Sequence, residues 1–179
     1  MAVYDQKEFG LFDSFNGLPL HALVLHTVVI AVPLATLLAI LFGIPRTRSW
    51  ARWPLAVVAV GTLAVTYLTR QSGLALEKAL GIRPGNPVGN LITKHSQLAT
   101  QLLIIVIVFA VLALASVFLV SRKPAGRAGG RRALDIGLPL LLIAAGLVMS
   151  IWVVRVGDLG ARAVWNPEGK TSYSSSGQR

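Results

Sequence analysis

Apolar positions along the chain do not alternate, and they do not line one stripe. They fill four long blocks, Leu20–Phe42, Pro54 to about Leu68, the greater part of Lys94–Val120, and Ala133–Val154, each apolar on all sides. A block of this length spans about 30 Å of hydrocarbon as a helix, at 1.5 Å per residue. A helix apolar all round belongs in a membrane rather than on a soluble core. The pattern therefore predicts an all-α integral membrane protein, a four-helix bundle of two helical hairpins. Its spans fall at about 20–42, 54–70, 94–120 and 133–157 within a membrane domain covering 20–165. Pro33 is expected to kink span 1. Pro54 suits the first turn of span 2.

Polar residues punctuate the blocks. The lead, Met1 to Pro19, is net acidic and carries Phe9, Leu11, Phe12 and Phe15, which suits a segment lying on the bilayer surface. It lacks the basic start of a cleavable signal peptide. Gly81–Asn90 is a loop by its Gly, Pro and Asn content. Asn166-Pro167 should stop the last helix, and 166–179 is expected to be a disordered tail. Two tight loops, Gly43–Trp53 and Ser121–Arg132, hold three and five Lys/Arg residues. Basic residues concentrated in short loops mark the cytoplasmic side. The expected location is a bacterial inner membrane, with both termini extracytoplasmic.

Composition supports this picture. Of 179 residues 54% are hydrophobic and 13% charged, about half the charged share of a soluble domain. The formal net charge is +10, placed largely where it sets topology and meets anionic lipid, so nucleic acid is not an expected partner. Cysteine is absent, which excludes disulfides, thiolate metal sites and covalent haem attachment. Histidine is left as the strong nitrogen ligand. No nucleophile elbow or phosphate loop is present, and the reading leans away from an enzyme.

Alternating span directions bring the polar residues to one membrane face: His21 and His26 at the start of span 1, Arg70 and Glu77 at the end of span 2, His95, Gln97 and Gln101 at the start of span 3, and Arg155, Asp158 and Arg162 at the end of span 4. The opposite half of every span reads as apolar. Ionisable side chains at membrane depth are functional candidates. His21 and His26 are five residues apart and point about 140° from each other, so they cannot act as one chelating pair. His26, the deeper of the two, is expected to face the bundle and meet His95, with His21 near the interface.

Four readings of this cluster stand side by side. One is a b-type haem held axially by His26 and His95, with Arg70 or Arg155 on its propionates. A second is a divalent-metal site drawn from His21, His26, His95, Glu77 and Asp158. A third is a pocket for a quinone or other apolar ligand. The fourth is structural, with Arg70–Glu77 and Arg155–Asp158–Arg162 as ion pairs in an accessory subunit of a membrane complex. The bilayer is the expected partner in all four; a redox partner protein and a homodimer are further alternatives.

Three stretches carry a family resemblance. Gly17-Leu18-Pro19-Leu20-His21-Ala22-Leu23-Val24-Leu25-His26, followed by Pro33, is similar to a Leu-His-Pro-x-x-Val-His start with a later proline, with Ala22 in place of the usual Pro. Thr69-Arg70-Gln71-Ser72-Gly73-Leu74-Ala75-Leu76-Glu77 is the second, with Leu74 where an acid often follows the glycine. His95 and Gly160-Ala161-Arg162-Ala163-Val164-Trp165 are the third, and Asp158 stands where relatives often have a histidine. The chain thereby resembles, from about Gly17 to Trp165, the bacterial family of small four-span membrane proteins filed as domain of unknown function number 2231. Relatives fused to Rieske-type iron–sulfur domains imply a redox neighbourhood, which favours haem or quinone over a bare metal.

Overall fold

A computed structural model of the chain describes residues 14–15, 18–121 and 130–170. Four long helices make up almost all of it: α1 (Leu20–Gly43), α2 (Arg48–Ala79), α3 (Pro87–Leu119) and α4 (Gly130–Trp165). Ahead of α1, the two-residue strands β1 (Ser14–Phe15) and β2 (Leu18–Pro19) pair antiparallel. The remainder of the expected surface lead lies outside the described residues. So do 171–179 of the expected disordered tail, whose first residues, Asn166–Lys170, form a turn with Gly169 at φ 68°.

The helices follow one another up and down, each packing on its chain neighbours, and α4 closes the ring against α1. Each is long and apolar enough to cross a membrane. At 1.5 Å per residue α2, α3 and α4 reach roughly 48–54 Å, well beyond the hydrocarbon thickness, so they project from the bilayer. Span 2 thus runs on as helix through Arg70 and Glu77 to Ala79, and α3 starts at Pro87, a full two turns before the apolar block. Asn86 explains that start: its side chain accepts the Gly89 N–H at 2.7 Å, and Pro87 occupies the first helical position.

The core is built from α1 (Val28, Val32, Ala35, Ala39, Phe42), α2 (Ala51, Leu55, Ala59), α3 (Val106, Phe109, Ala113) and α4 (Leu142, Met149). Many are alanines with no exposed surface, which lets the helices approach closely where lipid offers no hydrophobic drive for association. Gly146 serves the same end. A Cβ there would lie 3.2 Å from the Thr36 side chain, whose hydroxyl sits 3.0 Å from the Gly146 carbonyl oxygen.

One expectation is corrected at the end of the bundle opposite the histidines. That half is not plainly apolar. The sequence puts Arg48 and Arg52 in the tight loop Gly43–Trp53, but they lie in the first turns of α2 and are 3% and 5% exposed. Each caps a neighbouring helix. Arg48 donates to the Phe42 and Gly43 carbonyls at 3.1 and 3.3 Å, and Arg52 donates to those of Val117 and, at 2.7 Å, Val120. Both guanidiniums lie against the Phe42 ring. Asp135 of α4, 7% exposed, accepts the Ser121 N–H at 2.7 Å. The last carbonyls of α1 and α3 have no partner within their own helices, and a cation at a helix C-terminus is favoured. The sequence alone hides this role, because arginines and tryptophans near the end of a span also fit an interface anchor. Trp50 and Trp53, 64% and 57% exposed, do keep that position.

Candidate functional site

The histidine end holds a pair of imidazoles, and the pair is His21 with His95. His21 stands in the first turn of α1 and His95 in the third turn of α3, on helices that face each other across the bundle. Their ring centroids are 6.4 Å apart and their planes meet at 85°. Each ring is half-buried and anchored to the helix beside it. His21 Nδ1 is 3.0 Å from the Thr69 carbonyl oxygen of α2, and His95 Nδ1 is 2.9 Å from the Val156 carbonyl oxygen of α4. A carbonyl oxygen only accepts, so Nδ1 carries the hydrogen in both rings. In the neutral ring, Nε2 then keeps its lone pair.

The two anchors repeat one construction. Four residues beyond each accepting carbonyl stands a glycine, Gly73 after Thr69 and Gly160 after Val156. A Cβ on Gly73 would come within 3.1 Å of the His21 ring, and one on Gly160 within 3.2 Å of the His95 ring. Both imidazoles therefore lie on bare helix backbone. Hairpin α1–α2 and hairpin α3–α4 each supply a histidine, a carbonyl and a glycine in the same relation. The likeness of the two hairpins was visible in their plan, but the glycines' purpose was not.

His26 does not join them, which corrects the expected pairing. It is exposed on the outer face of α1, and its Nδ1 bonds the Ala22 carbonyl one turn back at 3.1 Å. The reason lies in the phase of α1. Val28, Ala35 and Phe42 are buried at steps of seven, and counting back seven more gives His21.

The charged residues also sort differently from the expected ion pairs. Arg70 is half-buried and its Nε donates to Thr100 Oγ1 of α3 at 3.1 Å. No Arg70–Glu77 pair forms among the described residues, since positions seven apart lie two turns apart along the helix. Asp158 pairs with Arg162 at 3.0 Å on an exposed surface. Arg155 instead lies over the Trp152 ring, 5.0 Å from its centroid, and the Trp152 indole N–H donates to Gln101 Oε1 at 3.1 Å. The metal set His21, His26, His95, Glu77 and Asp158 is not gathered: no three His, Cys, Asp or Glu side chains come together to hold an ion among the described residues.

Four apolar membrane helices in a closed ring, with a polar cluster at one end, define a multi-pass membrane protein of the four-helix class. The profile of the family described as Predicted membrane protein (DUF2231) matches residues 17–172, and the chain belongs to that family. No curated protein and no solved structure matches the chain.

Proposed function

We propose that this protein is a membrane electron-transfer module that holds a b-type haem between His21 and His95. The observation that carries the reading is the matched pair of imidazoles, each tied through Nδ1–H to a backbone carbonyl. Ligating histidines characteristically donate their other ring N–H in this way, which fixes the tautomer and the ring orientation. Metal–imidazole bonds run about 2.0–2.1 Å, so two rings on opposite sides of one ion have centroids roughly 6–7 Å apart. The spacing of His21 and His95 falls in that range.

The donor set also separates haem from a bare metal. A structural or catalytic zinc site needs three or four protein ligands. Among the described residues no three His, Cys, Asp or Glu side chains gather to hold an ion, and two imidazoles match an iron that brings four ligands of its own. His21 and His95 would hold the iron, and the half-buried Arg70, next in sequence to the His21 anchor Thr69, would pair with a propionate. Bound haem would supply a one-electron couple, with His21 and His95 as the residues that hold it. The extracytoplasmic placement of this end, in a bacterial inner membrane, rests on the basic loop Ser121–Arg132.

The test is titration of detergent-purified protein with haemin, followed by a reduced-minus-oxidised spectrum and haem extraction. The expected result is saturation near one haem per chain, with the sharp bands of a six-coordinate low-spin b haem. A featureless spectrum with no retained haem leaves the structural-subunit reading in its place.

A further inference from the structure

We propose that Gln101, Trp152 and Arg155 form a headgroup site for a membrane-borne quinone on the outer surface of α3 and α4. Binding there needs no haem; its meaning as an electron route rests on the haem reading.

The cluster is unusual for a lipid-facing surface. Arg155 is exposed, and among the described residues no carboxylate pairs with it, because Asp158 is taken by Arg162. Its guanidinium lies over the Trp152 ring. Gln101 is exposed as well, and its carbonyl oxygen is used by the Trp152 N–H. That leaves its amide N–H groups, which only donate, directed to no protein partner among the described residues. Unmatched donors at a hydrocarbon boundary are costly, and an exposed cation there more so. Along α3, Gln101 is six residues past His95, or about 9 Å deeper, so the cluster reaches from the interface into the bilayer.

What the cluster lacks is an acceptor, and what it offers beside its donors is the partly exposed Trp152 indole. An oxidised quinone headgroup is a flat ring with acceptor oxygens on opposite edges and no donors. It is delivered from the lipid side by its tail. One carbonyl would take the Arg155 guanidinium and the other the Gln101 amide, with the ring against Trp152. The placement relative to the histidines is close: Arg155 precedes Val156, whose carbonyl holds His95.

Four tryptophans make a direct assay available. Trp50, Trp53 and Trp165 are 57–72% exposed, so Trp50→Phe, Trp53→Phe and Trp165→Phe together leave Trp152 as the sole tryptophan emitter in an intact fold. Haem-free protein of this kind, in zwitterionic lipid nanodiscs, is titrated with a short-tailed ubiquinone or menaquinone analogue. The expected result is saturable quenching, weakened about tenfold or more by Arg155→Leu and by Gln101→Leu separately. Gln101→Leu changes an exposed side chain and keeps the comparison valid should the arginine variant be unstable. Linear, collisional quenching that is equal in all variants would overturn the proposal. So would a response to phosphatidylglycerol that depends on Arg155 when the quinone gives none. Failure of the haem reading shows separately, as a missing spectrum with the quenching intact.

Discussion

His21, Gly73, His95 and Gly160 are the residues on which the site depends most closely. Each imidazole is fixed by a hydrogen bond to a backbone carbonyl and by contact with a glycine that has no side chain to displace it. Alanine at either glycine would put a methyl at 3.1–3.2 Å from ring atoms, tighter than ordinary contact. The ring must turn or the helix must retreat. Overpacking of this kind costs about 1–3 kcal/mol. Gly73→Ala and Gly160→Ala are each expected to weaken haem retention about tenfold or more and to lower the thermal midpoint. Gly61→Ala, where nothing lies within 4 Å, should do neither. Affinity by haemin titration and melting by circular dichroism would check both.

The histidines themselves were legible as functional candidates, because few reasons exist to place them in an apolar helix. Which of His21 and His26 faces inward was not read correctly. Depth suggested His26, whereas helical phase decides it. The heptad from Phe42 through Ala35 and Val28 to His21 was present in the sequence, but most positions around it are also apolar, so the inward face carries little contrast. The role of the glycines is not legible in the sequence, since their close approach to a ring depends on the crossing of two helices.

At the scale of elements, α2 links the two ends of the molecule. Its start supplies the arginines that cap α1 and α3, and its far end supplies Thr69, Arg70 and Gly73 to the histidine site. Boundaries were hardest to place here. The apolar block ends near Leu68, yet the helix goes on to Ala79 and opens with two buried cations. Hydrogen bonds to charged groups contribute about 1.5–3 kcal/mol each, so Arg52→Met should destabilise the fold by several kcal/mol. Arg46→Met, on an exposed side chain, should shift stability by less than about 0.5 kcal/mol. Thermal unfolding of the two variants in one detergent gives the comparison. Equal melting temperatures would remove the capping role from Arg52.

At the scale of the whole molecule, the four spans and their alternating course followed directly from block length, and the all-α membrane bundle is the architecture found. Orientation follows less simply. Arg48 and Arg52 add to the positive count of the first loop in the sequence, but they are buried caps, so the positive-inside bias rests on Ser121–Arg132. A cysteine-free chain allows a clean test. With a single cysteine introduced as Arg83→Cys in the α2–α3 loop, or as Arg46→Cys between α1 and α2, both exposed, intact cells are treated with a membrane-impermeant maleimide. Labelling at position 83 and protection at 46 are expected; the reverse pattern would invert the topology and place the histidine end in the cytoplasm.

The central claim is that His21 and His95, and not His26, form one ligand pair. It is tested most directly by haem content across His21→Ala, His26→Ala and His95→Ala, purified identically and loaded with haemin, with helicity checked by circular dichroism. The account predicts near-stoichiometric low-spin haem in the parent and in His26→Ala, and its loss in the other two, with the fold retained. Haem that survives removal of His21, or that disappears with His26, would contradict it.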